Sequence, residues 1–433
     1  LSDPYLPGIW ADTMDELLFI AHRIPYPPNK GDKIRSFNIL RHLARSWRVH
    51  LGAFVDEPRD MRYREKLEAL CESTCLLPLS PSRARVRSLS GLLRNTALSI
   101  PYFQDRRMRN WINQRLASRN LQRVFVYSSP MAQYVAGRAS SGMHCVVDFV
   151  DVDSDKWRQY AGRKQWPLSW LYRREAAALL RFERDVALSA DASLFVSADE
   201  AALFKQLTPE AAENVSFLDN GVDHDFFAPG DHYEDPYGDS QKVIVFTGAM
   251  DYWANIDAVT WFAREVFPLV RDSADTARFV IVGARPSGEV RSLASIPGVS
   301  VTGAVKDIRP YLAHACVAVA PMRVARGVQN KVLEAMAMAR PVVATRLALE
   351  GIEIARHDGL GMADSAGDFA ASTLGFLGST RQDGFGESRR WVCSRYDWES
   401  NLRKLDGYLG SPGDGEGAMQ GNADSMRQLA AGR

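Results

Sequence analysis

The chain has 433 residues, 46% hydrophobic and 24% charged, with a formal net charge of +1, ordinary values for a globular protein of two domain lengths. No run of about 18 apolar residues occurs, which excludes a spanning helix. Five scattered cysteines, at 71, 75, 145, 316 and 393, argue against a disulfide framework and fit a reducing cytosol.

Residues 1–16 read as an N-terminal extension that lacks the basic start of a signal peptide. Residues 17–21 (LLFIA) predict a buried strand, followed by the turn-rich loop HRIPYPPNKGD and a helix over 34–44. Gly31 sits at the mouth of that helix beside Lys30, Lys33 and Arg35, where backbone can approach a phosphate or an acceptor; the other reading is a proline-stiffened turn. Strands are expected at 49–55 and 75–79, and Cys71 and Cys75 read as an ordinary pair on a helix face. Residues 61–125 hold 13 Lys/Arg against 4 Asp/Glu. Arginines 83, 85, 87 and 94 flank leucines there, which fits either an anionic membrane face or a solvated helical surface. No nucleic-acid motif accompanies the charge.

Further strands are expected at 123–127 and 145–150. From within the second onward, Asp148, Asp151, Asp153 and Asp155 crowd one strand end, suiting acid/base work or helix capping. Asp151 is the candidate cleft-facing carboxylate, and no metal is expected. His22, His144 and His314 read as isolated structural residues. A long helix at 168–190 and strands at 192–196 and 215–218 complete a first domain over 17–225. The Asn220-Gly221 pair marks a turn in which both residues tolerate positive φ. Residues 226–241 hold two prolines, two glycines and four acids and read as a linker.

The alternation restarts over 242–390, with strands at 243–247, 279–282, 299–302 and 317–320 and helices at 256–266 and 308–313. Gly248 and Gly283 directly follow strands, which permits close approach of a ligand. Next comes ARGVQNKVLEAMAMARPVVAT, residues 325–345. A loop with Gly327, Gln329 and Asn330 opens a helix, whose unpaired amides and dipole suit an anion. Lys331 adds a cation, and Glu334 one turn on can accept hydrogen bonds from sugar hydroxyls. A diphosphate joined to a ribose suits that pair. Residues 369–377 and 388–408 read as helices, and 391–410 is the expected C-terminal helix. Residues 411–433 have the composition of a disordered tail. The whole predicts an α/β protein of two Rossmann-like, doubly wound domains facing a cleft.

Several segments resemble one family. DNGVDHDFFAP (219–229), VTGAV (301–305), RGVQNKVLEAMAMARPVVAT (326–345) and YDW (396–398) are similar to motifs of the GT-B glycosyltransferases, specifically retaining family 4. HRIPYPPNKGDKIRS, VDFVDVDSDKW and GVQNKVLEAMA resemble the sugar transferases of PEP-CTERM/exosortase exopolysaccharide systems. The resemblance implies a hexosyltransferase moving sugar from a nucleotide-diphosphate donor, which is a co-substrate, with no cofactor and no metal. It implies a role in bacterial surface-polysaccharide assembly and so a polysaccharide acceptor, while the basic-apolar stretch 83–115 predicts a lipid-linked acceptor and a cytoplasmic enzyme peripheral at the inner face of the membrane. Donor contacts would fall on Gly31, Gly248, Gly283, Arg285, Val305, Gly327, Gln329, Asn330, Lys331 and Glu334, with Asp151, Lys331 and Arg326 in catalysis. Arg326 stands where the family carries its first glutamate, and Ala249 and Ala254 stand where it carries two diphosphate-binding cations. A nucleotide-sugar epimerase of the same fold and a non-catalytic sugar-binding module are the alternatives.

Overall fold

The computed structural model describes residues 15–118, 120–137, 143–162, 164–238, 242–324, 327–353, 359–379 and 386–410. They fall into two compact units. The first takes in residues up to Leu194, with Phe204–Ser216 and the chain from Leu402; the second takes in Phe195–Leu203 and Phe217–Asn401.

The first unit is built on a seven-stranded sheet. Its strands are β1 (Glu16–Ala21), β2 (Arg48–Val55), β3 (Ser73–Pro78), β4 (Leu121–Tyr127), β5 (His144–Val150), β6 (Ala192–Phe195) and β7 (Val215–Phe217), in the order β3-β2-β1-β4-β5-β6-β7. β1 pairs in parallel with β2 and β4, β2 with β3, and β4 with β5. β1 is apolar at nearly every position because a parallel sheet is covered on both faces, so Leu17, Leu18, Phe19 and Ile20 are all buried. Chain order reverses between β1 and β4, which creates a switch point at their carboxyl ends.

The second unit holds β8 (Val243–Thr247), β9 (Arg278–Val282), β10 (Val299–Gly303), β11 (Val317–Ala320), β12 (Val342–Ala344) and β13 (Leu360–Met362), in the order β10-β9-β8-β11-β12-β13. All five pairings are parallel, and the switch point lies between β8 and β11. Two parallel α/β sheets, each with one reversal of strand order, are the architecture the alternation of elements predicts.

Local expectations differ from the structure in four places. Cys75 lies in β3 and Cys71 in the turn before it, so the two share no helix face. The expected helix over 388–408 is two helices, Gly386–Arg395 and Trp398–Leu409, broken where Val222 bridges to Asp397. Residues 226–238 are packed onto the second unit. Tyr233 and Tyr237 are buried, the Tyr237 hydroxyl donates to the Tyr311 carbonyl at 2.6 Å, and His314 meets the Tyr233 carbonyl at 2.8 Å. Gly221 does not take a positive φ. Its glycine is required by close approach instead, since a Cβ there would lie 2.6 Å from the backbone nitrogen of Trp398.

Candidate functional site

In the second unit most of the expected ligand-facing residues collect at the carboxyl edge of the sheet. Gly248 follows β8 and Gly283 follows β9. They pack so closely that a Cβ on Gly283 would lie 1.7 Å from the Gly248 carbonyl oxygen. A Cβ on Gly248 would sit 2.8 Å from Asn255 Nδ2. Asn255 lies in the first turn of the Trp253–Trp261 helix and donates to the Ala249 carbonyl at 2.9 Å. Its other amide atom, Oδ1, accepts from Lys331 Nζ at 2.6 Å. Asn255 thus ties the glycine edge to the lysine. Nothing in the one-dimensional pattern marks it out, apart from its place just beyond the strand that ends at Gly248.

Lys331 occupies the first turn of the Asn330–Ala337 helix. This helix forms because Val332, Leu333, Ala335 and Met336 bury one face while Lys331 and Glu334 lie half-buried on the other. Gln329 is its N-cap residue and makes no side-chain cap bond. The preceding Gly327 takes φ +63°, a left-handed conformation that glycine adopts without cost. Around Lys331 Nζ stand Asn255 Oδ1, Met322 Sδ at 3.6 Å and the face of Phe246, 4.3 Å from the ring centroid. Among the described residues it forms no ion pair with a carboxylate at contact distance. Burial lowers its pKa to about 7, opposed by the Glu334 charge. Burial likewise raises Glu334 to about 7, opposed by Lys331. The Glu334 carboxylate makes no hydrogen bond to the described residues. Lys331 thus meets an amide oxygen but no carboxylate, and Glu334 keeps a free acceptor among the described residues, an arrangement that favours an incoming anion carrying hydroxyls.

Asn330 joins this helix to a second motif. Asn220 Nδ2 donates to Asn330 Oδ1 at 3.2 Å, and the Asn220 carbonyl accepts from Asn401 at 3.1 Å. Asp219 is paired with Arg395 at 3.0 Å, and the Val222 amide donates to the Tyr396 carbonyl at 2.7 Å. The DNGVD and YDW segments therefore brace the start of the Lys331 helix. Arg285, in the loop after β9, is half-exposed, takes φ +54° and pairs with Asp251 at 2.9 Å. Val305 packs against the core of the second unit. Arg326 lies outside the described residues.

The two remaining candidates belong to the first unit. Gly31 is the first residue of the Gly31–Leu43 helix. The three cations beside it are each neutralised by a carboxylate. Lys30 meets Glu57 at 2.6 Å, Lys33 meets Asp60 at 2.5 Å, and Arg35 meets Asp148 at 2.8 Å, the last two pairs buried. Asp151 follows Val150, which has φ +70°, an outlier for a β-branched residue. One Asp151 oxygen accepts from Lys156 at 2.7 Å, while Oδ1 is buried without a hydrogen-bond partner. Lys156 also bonds Asp153 at 3.0 Å, and Arg158 bonds Asp155 at 2.7 Å. Each of the four clustered acids therefore has a cationic neighbour, and among the described residues no group of three or more His, Cys, Asp or Glu side chains suits a metal ion.

His22 is not isolated. It directly follows β1 at the switch point, stacks on Tyr127 at 5.7 Å between ring centroids and meets Asp32 at 3.4 Å. Burial works to raise the Asp32 pKa. The hydrogen bond from His22 and the charge of Arg23 outweigh it and hold the carboxyl well below its ordinary value.

Residues 241–378, which span β8 to β13, match the family described as glycosyl transferases group 1, so the second unit carries a glycosyltransferase domain. None of the curated proteins matches the chain. Among solved structures, Alr3699/HepE of Anabaena in complex with UDP and glucose is similar at TM-score 0.62 and 14% identity, over 91% of this chain and 99% of that one. Sucrose-phosphate synthase of Thermosynechococcus elongatus is similar at TM-score 0.67 and 14% identity, over 96% and 100%. WaaG, a glycosyltransferase involved in lipopolysaccharide biosynthesis, is similar at TM-score 0.62 and 15% identity, over 91% and 99%. These likenesses show the GT-B fold.

Proposed function

We infer that the protein transfers a sugar from a nucleotide-diphosphate donor to an acceptor hydroxyl, and that the second unit holds the donor. The observation that carries this reading is Lys331, an ammonium at a helix opening with no carboxylate at contact distance among the described residues, set beside Glu334 and the Gly248–Gly283 edge. The diphosphate lies against Lys331 and the amides of Gln329 and Asn330, and Glu334 accepts from the ribose hydroxyls. Gly248 and Gly283 leave room for backbone-close contact, with Arg285, Val305 and Gly327 around them. HepE has also been solved with UDP-glucose, which supports a uridine diphosphate sugar as the first donor to try.

In the reaction the bond from the anomeric carbon to the diphosphate oxygen breaks and a bond to the acceptor oxygen forms. The acceptor proton ends on the departing diphosphate. Charge grows on that diphosphate as the bond breaks, so a cation and amide dipoles already in place stabilise the transition state more than the ground state. Asp151, with an unpartnered oxygen beyond a strained residue, is assigned to the acceptor or the transferred sugar, and Gly31 to the phosphates. Retention of configuration, a lipid-linked or polysaccharide acceptor and a role in surface-polysaccharide assembly at the inner membrane face belong to the same reading.

A thermal-shift screen of nucleotide sugars tests the donor. A ligand at 100 times its Kd adds about 2.7 kcal/mol to apparent stability, so the true donor stands out. No stabilisation by any nucleotide sugar or by UDP sinks the assignment. Product analysis with donor alone separates transfer from epimerisation, and the anomeric coupling of the product reports retention.

A further inference from the structure

We propose that the first unit docks on an anionic lipid bilayer through one face made by two segments distant in sequence, residues 81–96 and residues 164–173. The inference rests on the lipid-linked acceptor in the reading above and assigns the surface that would meet the lipid.

The first segment contains the short helices Pro81–Ser88 and Ser90–Leu93. Val86 is 71% exposed, Leu89 55% and Leu93 92%, and Arg83, Arg85 and Arg94 are exposed between them. The second segment precedes and opens the long helix Leu168–Ser189. There Trp166 is 82% exposed and Trp170 56%, beside exposed Lys164 and Arg173.

The two segments are fastened together. Arg174 donates to the Gly91 carbonyl at 2.7 Å and to the Thr96 carbonyl at 3.1 Å. Buried Glu175 accepts from the amides of Leu98 and Ser99 at 2.7 and 3.2 Å. Ala97 packs with Ala178 and Leu179. Trp170 stands one helical turn, about 5.4 Å along the axis, before Arg174.

Charge decides the occupant. Residues 73–104 contain four arginines and no acid, and residues 156–174 contain six Lys/Arg and no acid. A protein partner's contact core is depleted in charge, whereas here arginines alternate with leucine and valine. That mixture suits the boundary between headgroups and acyl chains. Leucine and valine enter the apolar layer there, tryptophan sits at headgroup depth, and arginines reach the phosphates. No helix among the described residues is long and apolar enough to cross a membrane, so the contact is interfacial.

Vesicle sedimentation tests the proposal. The full chain should pellet with phosphatidylglycerol-containing vesicles at low salt, pellet less at high salt, and stay in solution with phosphatidylcholine alone. Replacing Arg83, Arg85 and Arg94 together by Gln should lower partitioning about 10²-fold. Replacing Trp166 and Trp170 by Ala with Leu93→Gln should lower it about tenfold or more. Both variants should keep wild-type stabilisation by UDP-sugar and turnover on a water-soluble acceptor. A wild-type chain that ignores anionic vesicles overturns the surface. So do variants that sediment as well as wild type, or a dimer that the tryptophan changes dissolve without any vesicle binding. Vesicle binding without any response to nucleotide sugars would overturn the donor assignment and leave the surface standing.

Discussion

At Lys331 and Glu334 burial acts on both charges, and the pH dependence of stability follows from its sign. Lys331 titrates at about 7 in the folded chain against 10.5 when free, so the unfolded chain holds more protons between those values and stability rises with pH there. Glu334 titrates at about 7 against 4.5, so the folded chain holds more protons in that window and stability falls as pH rises through it. The pair therefore costs most near pH 7. The double variant Lys331→Met/Glu334→Gln should gain about 1–3 kcal/mol at pH 7 in urea titrations, with the gain shrinking towards both ends. A gain independent of pH would contradict this. Lys331→Ala alone should cut turnover about 10²-fold or more, and near-normal turnover would remove it from the mechanism. Diphosphate binding should draw a proton onto Lys331 and weaken above pH 7, readable as buffer-dependent heat in calorimetry. Lys331 and Glu334 were legible because a helix start with a cation and an acid one turn apart is a local pattern. Asn255 was not, because it reaches Lys331 only across 76 positions of sequence. Nor was the neutralisation of Lys30, Lys33 and Arg35, whose partners arrive from Glu57, Asp60 and Asp148.

Elements matched expectation where the residues are continuously apolar and drifted where they are not. β8 and β11 fall where the apolar runs place them, whereas β13, three residues with a central glycine, carries no usable pattern. The break between the last two helices is tertiary in origin. Pairing of Val222 with Asp397 and closeness of Gly221 to Trp398 draw the backbone out of the helix. Gly283→Ala forces β8 and β9 apart at their carboxyl ends. It should cost about 2–4 kcal/mol and abolish nucleotide-sugar stabilisation. Unchanged binding in that variant would mean that the Gly248–Gly283 contact does not shape the site. At the end of β5, Val150→Gly relieves a left-handed valine and should cost less than about 1 kcal/mol, whereas Val147→Gly, buried within the strand, should cost about 3 kcal/mol or more. Equal costs would show that Val150 is unstrained.

For the whole molecule, the two units are not two consecutive stretches of chain. Leu402, Leu405 and Leu409 are buried in the first unit, where His144 meets the Tyr408 carbonyl at 2.6 Å and Arg123 donates to the Leu409 carbonyl at 2.6 Å. Ending the chain after Asn401 should destabilise the first unit by about 4 kcal/mol or more while the second still answers to nucleotide sugar in thermal scans. Loss of both responses together would show that the units fold as one. The sequence by itself determined two parallel α/β sheets, the helix that presents Lys331 and Glu334, and the basic-apolar stretch. These depend on apolar periodicity and neighbouring residue types, which act over a few positions. Only the tertiary structure decided which charges are neutralised, which glycines touch backbone, and that Arg174, in the helix just beyond two exposed tryptophans, meets Gly91 within the arginine-rich stretch 83 positions away. Those depend on groups brought together by folding, and a contact between distant residues leaves no periodicity in either segment.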